Sequence, residues 1–256
     1  MAFLAERLEK IREILLERKT VNIATLCKEL KVSDVTIRKD LERLEGENFL
    51  KKIHGGAVLS EGVDDRYFQI KEIIPYYGEK QLIVNEAVKL INTFDNIFIG
   101  PGSTCYLFSK MLFRHNNVRV ITNNINSLGI LFNAVKKVTV IGGEIGHRDN
   151  MMFSSGMPEF PELDGIFLNK AIVTYNGISL EGGFSLDEMV LVNLYEKVFS
   201  ISKEVIVLAS ANKIEHQSMY RSAELSRANT IVTTGKLKPE LKEKLDSGQV
   251  RLIELS

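Results

Sequence analysis

The sequence predicts an α/β chain in two parts: a small helical unit closed by a β-hairpin, then a larger domain built on a mostly parallel sheet. Three observations lead there. Residues 1–57 hold three segments of helical periodicity followed by a short apolar strand and a Gly-Gly pair. Residues 58–72 are polar and irregular, as a linker would be. From residue 73 to 256, short apolar strands alternate with helical patterns, the rhythm of a parallel sheet covered by helices.

Each element has its own signal. Leu4, Leu8, Ile11 and Leu15 recur at helical spacing within residues 3–18, with charges between them. Asn22 reads as the N-cap of a second helix, Ile23–Leu30, in which Leu26 and Leu30 are one turn apart. Lys31-Val32 makes a tight connection, and Ser33 caps a third helix whose buried edge is Ile37, Leu41 and Leu44. Gly46 weakens that helix end. Phe49–Lys52 then reads as a strand and Gly55-Gly56 as a hairpin turn. Three helices and a hairpin in this order form a winged helix-turn-helix. The linker runs through Ser60, Glu61, Gly62, Asp64, Asp65 and Arg66. Beyond it, strands are expected at Asn96–Ile99, Val118–Thr122, Val138–Ile141, Ala171–Thr174, Val205–Ala209, Thr230–Thr233 and Arg251–Leu255. Helical patterns fall at Glu79–Ile91, Tyr106–Phe113 and Glu188–Phe199. This second part reads as a Rossmann-like α/β domain.

Bulk properties narrow the function classes. Of 256 residues, 33 are Lys or Arg and 33 Asp or Glu, so net charge is zero and any nucleic-acid-binding charge must be focused locally. Residues 1–60 carry 12 basic and 10 acidic side chains, a small positive excess. Cys27 and Cys105 have no metal-ligand spacing, which excludes a disulfide framework and a structural zinc site and fits a reducing cytoplasm. No apolar run reaches the ~18–20 residues of a membrane span. Glu6, Arg7 and Glu9 stand where a signal peptide needs an apolar core. A cytoplasmic protein without membrane partner, metal or cofactor is expected.

The third helix points to DNA. Thr36, Arg38 and Lys39 lie off its buried edge, Arg43 lies a turn further on, and Ser33 opens it. Arg and Lys contact phosphates or guanine edges, and hydroxyls reach bases or backbone. Lys51 and Lys52 on the hairpin add phosphate contacts, whereas His54 is an ordinary exposed turn histidine.

A second site is expected beyond the carboxyl ends of the sheet strands. Strand Asn96–Ile99 runs into Gly100-Pro101-Gly102-Ser103-Thr104, which opens a helix: glycines allow close approach, hydroxyls and helix N–H groups receive an anion. Other strands end in Asn123-Asn124, Gly142-Gly143-Glu144, Tyr175-Asn176-Gly177 and Ser210-Ala211-Asn212-Lys213. Amides, hydroxyls and one lysine around a phosphate-sized loop suit a phosphorylated polyol, while each loop alone is also ordinary turn chemistry. Asp187 and Glu188 read as an exposed helix start, and Cys105 as a small buried cysteine rather than a redox sensor.

The spacing of Arg7, Ile11 and Leu15, then Ser33 and Thr36-Ile37-Arg38-Lys39-Asp40-Leu41, then Lys52-Ile53-His54-Gly55-Gly56-Ala57, resembles the DeoR family of bacterial transcriptional regulators. Residues 75–256 resemble that family's effector domain, which looks like the sugar-phosphate isomerase fold. The resemblance implies a repressor whose operator binding answers to a phosphorylated sugar, with Gly102-Ser103-Thr104, Thr122-Asn123, Gly142-Gly143 and Lys213 at the effector pocket. Two positions depart from the family pattern: Asn176 and Ser210 stand where acids are usual. Isomerisation of a sugar phosphate needs a base to move a proton between carbons, so a sensor is favoured over an isomerase with an accessory helical domain. The same two departures leave three alternatives open: a neutral ligand, a more anionic ligand, or no ligand. A dinucleotide sensor is disfavoured because Cys105 occupies the third glycine place of GxGxxG and no acid ends the next strand. Helix-turn-helix proteins read paired half-sites, so a homodimer or homotetramer on double-stranded DNA is expected.

Overall fold

A computed structural model describes residues 4–46, 49–60, 74–115, 117–148, 151–157 and 159–255. It separates into two compact units, Met1–Pro75 and Tyr76–Ser256. Most of the expected linker, residues 61–72, lies outside the described residues.

The first unit contains α1 (Leu4–Arg18), β1 (Thr20–Asn22), α2 (Ile23–Leu30), α3 (Asp34–Gly46), β2 (Leu50–Ile53) and β3 (Gly56–Leu59). The capping chemistry read from the sequence is present. Asn22 Oδ1 accepts from the Thr25 N–H at 2.7 Å, and Ser33 Oγ accepts from the Thr36 N–H at 3.3 Å. Lys31 makes the turn after α2 in the left-handed region, its N–H reaching the Cys27 carbonyl. Leu8, Ile11, Leu15, Leu26, Ile37, Leu41 and Leu44 form one buried core with Val21, Leu50 and Ala57. Strand β1 is an addition to the sequence reading. It pairs antiparallel with β3, so the wing is a three-stranded sheet of order β1-β3-β2. Gly56 is required there, because a Cβ would sit 2.1 Å from the Val21 carbonyl oxygen.

The second unit is built on a seven-stranded parallel sheet. Its strands are β4 (Asn96–Ile99), β5 (Arg119–Thr122), β6 (Lys137–Val140), β9 (Leu168–Val173), β12 (Ser202–Ala209), β14 (Thr230–Thr233) and β15 (Arg251–Glu254), in the order β15-β14-β12-β9-β4-β5-β6. Every expected strand is present within a few residues. The chain winds outward from β4 through β5 to β6, then returns to β9 beside β4 and winds the other way. The strand order therefore reverses between β4 and β9, the place where open α/β sheets bind ligands. Helices α4 (Tyr77–Ala87), α5 (Ser103–Met111), α6 (Leu128–Ala134), α7 (Met189–Ser200) and α8 (Pro239–Ser247) complete the unit. Helix α5 begins three residues before the expected Tyr106, directly at the glycine loop. A hairpin of β7 (Ile145–Arg148) and β8 (Met151–Ser154), and a small antiparallel sheet of β10 (Gly177–Ser179), β11 (Gly183–Leu186) and β13 (Tyr220–Ala223), were not legible as strands. All residues of β10 and β11 are buried, so they lack the alternation that marks a half-exposed strand.

Candidate functional site

In the first unit, α3 turns its aliphatic residues Ile37, Leu41 and Leu44 inward and leaves Ser33, Arg38, Lys39 and Arg43 exposed. Asp40 is the exception on the inner side. It is 2% exposed and takes two hydrogen bonds from Arg7 on α1, at 2.5 and 3.1 Å. Those bonds raise the Arg7 pKa above its ordinary value. The pair ties α1 to α3 on the side that Ile37, Leu41 and Leu44 already bury. Arg38 is held in a two-point contact with Asp34 one turn back, at 2.5 and 3.3 Å, and this hydrogen bonding raises its pKa. The Ser33 and Thr36 hydroxyls lie 2.9 Å apart, so both belong first to the helix cap. On the wing, Lys51 is exposed. Lys52 instead turns toward α3: its N–H donates to Glu45 Oε1 at 2.8 Å and its ammonium lies 3.4–3.5 Å from Glu45 and Glu42. The Lys52 N–H holds the Glu45 carboxyl below its usual pKa.

The second unit has a cleft at the β4/β9 reversal. Its lining includes Gly102, Ser103 and Thr104 after β4, Thr174 and Tyr175 after β9, Leu208 and Ser210 at the end of β12, and the lysines Lys80 and Lys213. Gly102 has φ 101°, a backbone conformation open to glycine, and it caps the start of α5 with no side chain over the helix N–H groups. The loop is clamped from behind. Asn124 Nδ2 donates to the Gly100 and Gly102 carbonyls at 3.3 and 3.1 Å, and Thr174 Oγ1 to the Pro101 carbonyl at 3.1 Å. Lys80 is 7% exposed and its ammonium donates to Ser103 Oγ at 2.9 Å. Beside it, Glu79 accepts from the Ala211 N–H at 3.3 Å and the Thr234 hydroxyl at 2.9 Å, which ties α4 to the turn carrying Lys213. Among the described lining residues there are two ammonium groups and no carboxylate. Chemically the arrangement suits an anion: helix N–H groups, hydroxyls and two lysines line one cleft.

Of the residues predicted from sequence, Gly102, Ser103, Thr104 and Lys213 come together in this cleft. Gly100 and Asn124 stand behind it as supports of the loop. Asn123 is buried and donates to the Ser154 carbonyl at 3.0 Å. Gly142 and Gly143 pack against Gly156, whose N–H reaches the Gly142 carbonyl at 2.9 Å. Asn176 is turned to Asp187: Nδ2 donates to Oδ2 at 2.6 Å, and the Asp187 N–H donates back to Oδ1 at 3.2 Å. A carboxylate at 176 would face the Asp187 carboxylate, so the amide is the compatible partner. Asp187 is exposed just before α7, as expected of a helix start, and it also accepts from the Ser218 hydroxyl. Ser210, the other departure, lines the cleft and hydrogen-bonds Asn212 at 2.7 Å. Cys105 is buried, its thiol 3.6 Å from the Ile172 carbonyl. Among the described residues no three His, Cys, Asp or Glu gather as metal ligands, and no helix is long and apolar enough to cross a membrane.

Sequence reasoning missed Lys80. The available signal was its register: Lys80, Ile83, Val84 and Ala87 are the buried residues of α4, so a lysine occupies the apolar stripe. A buried lysine in such a stripe requires a polar partner.

A winged helix that presents Arg38, Lys39 and Arg43 on α3, followed by an α/β domain whose cleft suits an anion, fits a DNA-binding regulator with a sensor domain. Residues 7–62 match the DeoR-like helix-turn-helix domain and residues 76–235 the DeoR C-terminal sensor domain. The chain belongs to the DeoR family of transcriptional regulators. It is similar to the uncharacterized HTH-type regulator YulB of Bacillus subtilis, at 27% identity over 97% of this chain and 95% of that one. It is similar also to the regulator IolR of Bacillus subtilis, at 25% identity over 95% and 96%. The lactose phosphotransferase system repressor of Staphylococcus epidermidis is 29% identical over 94% and 96%.

Proposed function

We propose that this protein is a cytoplasmic transcription repressor, acting as a homodimer or homotetramer, whose hold on its operator is set by a phosphorylated sugar or related metabolite in the β4/β9 cleft. The observation that carries the ligand class is the cleft itself, with Lys80, Lys213 and the open N-terminus of α5 converging where a phosphate would sit. The name of the lactose phosphotransferase relative supports a sugar-linked signal. Arg38, Lys39, Arg43 and Lys51 are the cations presented to DNA, with Ser33 and Thr36 at the helix start, and Lys52 sets the wing against α3. The protein is a sensor rather than an enzyme on this reading, because the described cleft lining holds no carboxylate or histidine to shuttle a proton. Effector binding shifts the chain between DNA-competent and incompetent states through its different affinity for the two.

The test is binding to the protein's own promoter DNA, followed by fluorescence anisotropy, with a panel of pentose and hexose phosphates. One compound is expected to release or tighten the complex. Arg38→Ala and Lys39→Ala are each expected to weaken operator binding about tenfold or more with an unchanged circular dichroism spectrum, and affinity should fall steeply with salt. Unaltered binding by both variants removes α3 as the reading element. Conversion of any sugar phosphate by the protein overturns the sensor assignment.

A further inference from the structure

We propose that Val35 is a base-reading residue of α3, its side chain meeting the C5-methyl group of one thymine in each operator half-site. The inference rests on the reading above that α3 enters the major groove, and it names a contact that the cationic residues do not supply. Helix α3 has four aliphatic residues. Ile37, Leu41 and Leu44 are at most 1% exposed and complete its inner face, whereas Val35 is 63% exposed. A β-branched residue on the outside of a helix has lower intrinsic propensity than Ala and gains nothing from the core. Its position explains it better than the fold does. Arg38 and Lys39 follow at three and four residues, so Val35 shares one face with two cations. A partner for that face must be anionic overall and still offer a small apolar spot. The major groove of duplex DNA has that combination, its phosphates flanking the thymine methyl.

Two further features favour a direct contact. Val35 stands in the first turn of the helix, the part of a recognition helix that reaches base edges. Its side chain holds one strongly preferred rotamer in a helix, so little freedom is lost on contact. Asp34 beside it restrains Arg38 through the two-point contact at 2.5 and 3.3 Å, so the guanidinium and the valine are presented together.

Thymine-to-deoxyuridine exchange, one position at a time across the selected operator, removes the methyl and nothing else. Anisotropy titrations of the intact protein are expected to lose about fourfold in affinity per half-site at one thymine, the worth of one buried methyl group. Val35→Ala should bind the thymine and deoxyuridine duplexes equally, each as weakly as the wild type binds deoxyuridine. Arg38→Ala should remain sensitive to the methyl. A wild-type protein indifferent to every exchange, or a Val35→Ala protein with undiminished sensitivity, overturns the assignment. A wild type that prefers no promoter sequence over random duplex overturns the operator-binding reading itself, which separates the two failures.

Discussion

Arg7→Ala is expected to destabilise the N-terminal unit by about 3 kcal/mol and to abolish operator binding at physiological temperature. The guanidinium reaches Asp40 at 2.5 and 3.1 Å, and the two side chains are 12% and 2% exposed. Removing one partner strands the other. Asp40 sits among Ile37, Leu41 and Leu44, where an ionised carboxylate without a counter-charge is costly. A unit of this size has only roughly 3–8 kcal/mol in total, so the loss takes much of its margin. The damage also falls on the seam between α1 and α3, which the pair spans. Urea denaturation of the intact chain, with a probe in the first unit, measures the loss. The double variant Arg7→Met with Asp40→Leu should recover much of the stability, because a well-packed apolar pair does not need the ion pair. A cost below about 1 kcal/mol for Arg7→Ala would mean the pair behaves as a surface ion pair.

Lys80→Ala is the second large effect expected, and it falls on the other function. Lys80 is buried on the apolar stripe of α4 and holds Ser103 Oγ at 2.9 Å at the mouth of α5. Charge-assisted hydrogen bonds are worth about 1.5–3 kcal/mol, so the effector concentration for half-maximal response should rise about 10- to 100-fold. Operator affinity without effector should stay the same, because the side chains proposed to meet DNA lie in the other unit. Lys213→Ala should act in the same sense. The measurement is the promoter anisotropy assay titrated with the responsive sugar phosphate. An unchanged midpoint for both variants would remove the cleft as the effector site.

Much of the fold is legible in the sequence. The caps at Asn22 and Ser33, the inward edge of α3 and the strands of the parallel sheet are local features, written in spacing and in residue type. The loop Gly100–Thr104 was legible as a strand-to-helix turn for the same reason, although two glycines and two hydroxyls serve a plain turn as readily as a ligand. Strands β10 and β11 were not, since burial on both faces erases the alternation that reveals a strand. Six of the ten residues expected at the ligand, Gly100, Asn123, Asn124, Gly142, Gly143 and Asn176, lie behind the cleft or outside its lining. Asn and Gly at strand ends serve turns and supports as readily as ligands, and sequence alone does not say which way an amide points.

The sequence by itself determined the two-part organisation, the face of α3 that points outward, and the glycine and hydroxyl make-up of the loop after β4. Those follow from periodicity and side-chain chemistry within a few turns of chain. Only the tertiary structure decided the pairings Arg7 with Asp40, Lys80 with Ser103 and Asn176 with Asp187, and the convergence of Lys80 and Lys213 on one cleft. The physical reason is common to all of them. Periodicity states which side of an element is buried, but a buried polar group must find its partner across the core, and which partner stands there depends on how distant elements pack.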